Sequence, residues 1–419
     1  MSPRSTAVAT LANVFLLLAG LPAQTSAGSP QAPSRRVASV VPLSRIQQYA
    51  SHLDTLLENG LKKRGETPHA IVDDATFVRR AYLGIVGRIP TLAEAEAFLA
   101  DQAADKRDQL TDRLLDSAGH TSHWSNFWFD LLRVKSRQRQ LSGEPFAHFV
   151  REAVRTDLPY DQFVRQLLTA EGPAHAQGNG ATGYLLRDMN MPHDAMANTL
   201  RVFLGTRLEC AQCHNHPFDT WTQKEFYAMA AFFGGLRYRA AEEQVPNGAA
   251  ARPLLANADE RTKAQARQLL QRMNLGISGS GTGLEKLPSD YKYDDAKPQS
   301  PVLAAAIFGG QVKLKYPDPK AEPKARNRER NNPRQRNNDP EIASRAALAD
   351  WLTDRKNPRF TKVIVNRVFA RVFGRGLVEP IDDWRKDTEA VHPDLLRQLE
   401  RLLVELDYDL RQFERVLVH

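Results

Sequence analysis

The chain has 419 residues, 42% of them apolar and 25% charged, and only two cysteines. That length argues for two or three domains large enough to bury cores, and the composition excludes wholesale disorder, a multispanning membrane protein and a disulfide-stapled miniprotein. The formal charge of +8 resembles a nucleic-acid signal until it is located: residues 320–336 hold seven basic and two acidic side chains, so +5 of the +8 falls in one stretch.

At the N-terminus a short basic start (Met1 to Arg4) precedes an apolar run from Ala7 to Leu21 and small residues to Ala27. This is the layout of a secretory signal, placed at residues 1–27 and expected to be cleaved, with an uncleaved single-pass anchor as the alternative. No later stretch approaches about 18 consecutive apolar residues, so the mature chain is expected to have no transmembrane span and to be exported, periplasmic or envelope-associated. Residues 28–43 read as a tether. Export bears on the cysteines, because an oxidising compartment permits disulfides and is where c-type haem is attached.

Residues 44–235 follow a helical period nearly throughout. Ile46, Leu53, Leu56, Leu57 and Leu61 line one face of a first helix, and Phe77, Ala81 and Ile85 line the next, which Gly87 to Pro90 should end. Thr91 and Glu94 form a capping-box pattern, and Trp124, Phe127, Trp128 and Leu131 form an aromatic stripe expected to be core. The glycine-rich run 172–183 lacks the lysine and flanking strand of a phosphate-binding loop and reads as a connector. Thr199 to Glu209 reads as a helix that presents the cysteine pair at its end.

Residues 236–341 are expected to be a flexible insert. They hold one helix (Glu260 to Met273), a flexible glycine-rich run at 276–283, a candidate strand pair around 302–316, and the basic, Asn- and Pro-rich stretch 318–339. Repeated Pro and like charge with few apolar residues cannot bury enough surface to order that stretch, which reads as a solvated linker; without interleaved aromatics it argues against nucleic acid as a partner. The helical pattern returns over 342–419. Ala347, Leu348, Trp351 and Leu352 share a face, and Phe360 to Phe373 is a helix with Val363, Ile364, Val368 and Val372 inward, stopped by Gly374 to Gly376. Further helices begin at His392 to Asp394 and span Leu410 to Val418. The fold class is thus mainly α: two helical domains joined by a low-complexity basic linker, with at most a small β element. The chain stops at Val418-His419 within an apolar helical pattern without a cap at that end, and the second domain is expected to be truncated.

The specific chemistry sits in one pentapeptide, Cys210-Ala211-Gln212-Cys213-His214. Two thiols three apart can reach the two vinyl groups of a haem, and the adjacent histidine can ligate the iron from one side. Three readings compete: c-type haem bound by Cys210, Cys213 and His214; a Cys210–Cys213 disulfide, redox-active or structural; and a Zn or Fe site from Cys210, Cys213, His214 and His216, which is cramped and lacks a second cysteine pair. Candidate sixth iron ligands lie upstream at Met189, Met191, His193 and Met196, each also readable as core filling or helix-start packing. Asp382 and Asp383 read as a turn with capping duty rather than an acid/base pair. No Ser/His/Asp grouping or paired carboxylate has supporting spacing, so no catalytic residue is named and a hydrolase reading has no nucleophile.

The runs Phe77 to Thr91 (FVRRAYLGIVGRIPT), Trp124 to Leu132 and Phe203 to Tyr227 (FLGTRLECAQCHNHPFDTWTQKEFY) resemble the cytochrome-like PSCyt domain of large exported planctomycete proteins. Residues 346–419, with Val365 to Val378 (VNRVFARVFGRGLV) and Asp382-Asp383-Trp384, resemble the start of the PSD domain that follows it. The resemblance implies export, a CxxCH motif assigned to c-type haem, and this domain order, in proteins of unknown function. The reading that results is an exported c-type cytochrome-like protein that transfers electrons or senses redox state at the envelope, its redox or envelope protein partners unidentified. The alternative is a non-haem envelope scaffold with a structural Cys210–Cys213 disulfide.

Overall fold

The computed structural model describes residues 41–138, 141–240, 256, 258–273, 275–279, 283–310, 312, 314 and 344–419. The expected signal peptide, most of the tether and the basic stretch 318–339 lie outside the described residues.

The chain is mainly α-helical. Helix α1 (Leu43–Lys63) buries Ile46, Ala50 and Leu53 at the expected three- and four-residue spacing. Helix α2 (Asp74–Ala81) starts where the Asp73 carboxylate accepts from the Thr76 amide at 2.8 Å, and it widens into a π-helical turn, Tyr82–Val86, that Gly87 closes at φ 74°. Thr91 and Glu94 form the expected capping box on α3 (Leu92–Ala100). Helix α4 (Lys106–Leu115) leads to α5 (Ala118–Leu131), whose Trp124 and Trp128 are buried as the stripe requires. A short hairpin of β1 (Arg137–Gln138) and β2 (Leu141–Ser142) precedes α6 (Glu144–Arg155) and α7 (Tyr160–Thr169).

The run 172–183 is more than a connector. It contains strand β3 (Gly172–Pro173) and a 3₁₀ turn that enters the single-turn helix α8 (Gly183–Leu186). Helices α9 (Pro192–Leu204) and α10 (Gln223–Ala230) follow, then strand β4 (Arg237–Arg239). Helix α11 (Glu260–Met273) has the ends read from the sequence. Just beyond it, the start of the glycine-rich run expected to be flexible is instead strand β5 (Leu275–Ser278), antiparallel to both β3 and β4. Pairing on two sides satisfies its backbone, and Gly276 is required because a Cβ there would stand 2.2 Å from the Gly172 carbonyl oxygen. Within the stretch expected to hold a strand pair, β7 (Pro301–Leu303) pairs with β6 (Leu284–Lys286), earlier in the chain, while residues 311, 313, 315 and 316 lie outside the described residues.

The last segment forms α12 (Ser344–Leu352), α13 (Phe360–Phe373), α14 (Pro393–Glu405) and α15 (Leu410–Val418). On α13, Val363, Ile364 and Val368 are buried while Val372 is half-buried, and Gly374 ends the helix at φ 81°.

The two helical segments contribute to one hydrophobic core. Trp128, Phe163, Phe203 and Phe226 from the first lie in the same cluster as Leu348, Val363, Leu399 and Phe413 from the second. An aromatic column crosses between them: Trp128 stacks on Tyr160 with centroids 5.9 Å apart, and Tyr160 stacks on Phe360 at 4.8 Å. Fully buried side chains of this size each contribute about 1.5–3 kcal/mol relative to exposure, so neither segment keeps its apolar interior without the other. Arg345 of α12, 2% exposed, donates to the carbonyls of Leu168 (2.8 Å) and Gly279 (3.1 Å) and pairs with Glu171 (2.5 Å), tying α12 to α7 and β5. A second, smaller core under α2 to α4 gathers Val78, Tyr82, Phe98 and Leu114.

Candidate functional site

Helix α9 stops earlier than its apolar pattern suggested. Gly205, at φ 59°, takes the left-handed position that ends the helix at Leu204, so the cysteine motif is not on a helix end but on a separate 3₁₀ turn, Glu209–Gln212. Cys210 lies within the turn and Cys213 is the residue that caps it, and both are exposed, unbonded thiols. The turn is closed by the Cys213 amide on the Cys210 carbonyl at 3.3 Å.

The loop after the turn is pinned from three directions. The Asn215 amide donates to the Tyr293 hydroxyl (2.7 Å), and Asn215 Oδ1 accepts from the Gln223 amide at the start of α10 (2.9 Å). The buried Gln223 side chain returns a bond to the Gln212 carbonyl (3.0 Å), and the His216 amide reaches the Trp221 carbonyl (2.7 Å). Thr222 and Glu225 then cap α10 reciprocally.

This scaffolding gives the two histidines opposite tautomers. His214 Nδ1 lies 2.7 Å from the Asn215 carbonyl oxygen; a carbonyl only accepts, so the neutral ring carries its proton on Nδ1 and leaves the Nε2 lone pair free. His216 Nδ1 instead accepts from the Phe218 amide at 3.2 Å, which puts its proton on Nε2. No grouping of three or more His, Cys, Asp or Glu side chains suited to a metal ion occurs among the described residues, so Cys210, Cys213, His214 and His216 do not form the tetrad considered from sequence.

The four upstream candidates separate. Met196 is fully buried in the core, Met189 packs half-buried against it, and Met191, 45% exposed, precedes α9. His193 sits edge-on to Phe226 and Tyr227 with centroids 5.6 and 5.4 Å away, its Nε2 3.8 Å from Glu285 Oε2. His193 holds the Glu285 carboxyl below its usual range. Burial, then the neighbouring Cys213, Asp290 and Glu285, push the Tyr227 hydroxyl up. Asp382 and Asp383 form a turn but cap no helix: Asp382 takes Arg207 (2.8 Å) and Asp383 takes Arg385 (3.1 Å).

Residues 52–238 match the family model PSCyt2, and residues 344–419 match PSD1; both are described as proteins of unknown function (DUF1549 and DUF1553). In chain order, the first segment is similar to PSCyt2 and the last to PSD1. No curated protein and no solved structure matches it. The PSCyt2 segment supplies the motif, and the PSD1 segment positions it from behind, where the Trp384 amide donates to the Gly205 carbonyl at 2.7 Å.

The boundary between PSCyt2 and PSD1 also holds a buried constellation absent from the sequence reading. Glu414 Oε2 on α15 accepts from His120 Nε2 and Trp124 Nε1, each at 2.7 Å, with the His120 and Glu414 side chains both 3% exposed. Beside them Asp157, whose carboxyl burial pushes up, pairs with Arg411 at 2.7 Å. His120, Glu414, Asp157 and Arg411 line a cavity of about 50 Å³ with Trp124 and Tyr160, room for a water molecule. The partners lie 294 residues apart; the one local signal was a glutamate on the apolar face of Leu410 to Val418.

Proposed function

We propose that this chain is an exported c-type haem protein that carries single electrons, or reports redox state, at the cell envelope. One observation carries the reading: two exposed thiols joined by one backbone-bonded turn, followed by a histidine whose Nε2 is left as a lone pair. Cys210 and Cys213 would hold the porphyrin through thioethers, and His214 would ligate the iron, with the Asn215 carbonyl fixing the ring's tautomer and orientation. Bound haem supplies one-electron chemistry at iron. The chain's part is to hold that group rigidly, which the bonds from Tyr293 and Gln223 to the motif loop accomplish, and to offer apolar surface, which Phe218 does at 73% exposure. The N-terminal signal pattern supports export.

The test is expression of the full chain in a bacterial periplasm with the haem-attachment machinery. The expected product is coloured, keeps its haem through denaturing electrophoresis, and shows the adduct on the peptide containing Cys210 and Cys213; C210A/C213A is colourless. A colourless wild-type protein overturns the reading, and a mass short by two hydrogens assigns the pair to a disulfide.

A further inference from the structure

Three side chains around the far end of the motif loop each carry a buried N–H with no acceptor among the described residues: Trp221 Nε1, Arg359 Nη1 and Trp384 Nε1. They share one aromatic layer. The Arg359 guanidinium lies 5.4 Å from the ring centroids of both Phe308 and Trp384, and Trp221 meets Phe308 edge-on at 5.4 Å. Arg359 Nη2 is used, donating to the Arg385 carbonyl at 3.1 Å.

Every one of these free groups is a donor, since neither an indole N–H nor a guanidinium can accept. Only an acceptor satisfies them, and the cation among them selects an anionic one. Nearby carboxylates are already engaged: Asp382 takes Arg207 and Asp383 takes Arg385. Asp219 is close enough for its charge to favour the Arg359 cation against burial, but it forms no ion pair with it among the described residues.

We propose that Trp221, Arg359 and Trp384 form an oxyanion subsite that takes a carboxylate beside the CxxCH motif, with one donor from the PSCyt2 segment and two from PSD1. The subsite stands on its own donors and does not require the haem reading. Its carboxylate has two sources: a propionate of a haem held at Cys210 and Cys213, or a free dicarboxylate from solution.

Two measurements on the full chain separate them. In the haem-loaded protein, R359M removes a positive charge and should shift the redox equilibrium about tenfold towards the oxidised form, 59 mV for one electron. It should also make the potential pH-dependent where the released carboxylate titrates, the other carboxylates facing the site being Asp219, Asp382 and Asp383, and R359K should restore most of both. In protein made without the attachment machinery, succinate at constant ionic strength should change tryptophan fluorescence saturably, with R359M binding at least about tenfold more weakly and W384F intermediate. A response in the potential assigns the propionate, and a response to succinate alone assigns a free ligand. Flat results in both, with the circular dichroism of R359M unchanged, overturn the subsite. Absence of covalent haem in the wild type sinks the haem reading and leaves the succinate titration to decide.

Discussion

Replacing Glu414 by alanine tests whether the PSCyt2 and PSD1 segments are one folding unit. The carboxylate oxygen accepts two buried N–H groups, from His120 and Trp124, both at 2.7 Å and both on α5. Removing it leaves two desolvated donors with nothing to bind, at about 1–3 kcal/mol each, and breaking one side of a buried pair costs about 3–5 kcal/mol in all. A value of about 4 kcal/mol corresponds to a fall in Tm of roughly 5 °C for a chain of this size. E414Q keeps an acceptor and should lose about half as much. Differential scanning calorimetry of the full chain is the assay, since the shared core also requires a single endotherm that moves as a whole. A loss below about 1 kcal/mol, or two endotherms of which one stays in place, would refute the reasoning.

Two further outcomes follow from local geometry. Burial pushes the Asp409 carboxyl from 3.8 to about 6, so the native state binds more protons than the unfolded chain between those values and stability falls as pH rises through them. D409N keeps the cap on the Gln412 amide and removes the ionisation; urea titrations should show the wild type losing up to about 3 kcal/mol against D409N between about pH 4 and pH 7, whereas parallel curves contradict the assignment. At Gly205, φ 59° disfavours any side chain, and a Cβ 3.0 Å from Val363 and 3.2 Å from Trp384 would have to push both neighbours back. G205A should cost about 2 kcal/mol in thermal unfolding, and an unchanged melting curve would show that the α9 terminus yields easily.

Helices were legible where local chemistry alone sets their limits. The end of Phe360–Phe373 was readable because Gly374 stops it, and Thr91 with Glu94 announced α3. Long-range pairing was not legible. Strand β5 looked flexible because its one glycine, Gly276, is explained by the Gly172 backbone about a hundred residues away in the chain, an approach no local window contains. The end of α9 was misplaced because Leu208 continues the apolar period beyond a glycine that in fact ends the helix. At the candidate site the CxxCH spacing was readable at once. The tautomers of His214 and His216 were not, since they depend on which backbone group each ring meets. The division at residues 236–341 was real in composition, yet the core on either side of it is continuous.

The bond from His120 to Glu414 has an evolutionary corollary. A gene that kept the PSCyt2 segment and lost PSD1 would retain an imidazole and an indole in the interior facing no acceptor, and one that kept PSD1 alone would retain a glutamate on an apolar helix face with no donor. The geometry predicts that homologues which change one of these three positions change the others with it, since each single change strands a buried polar group.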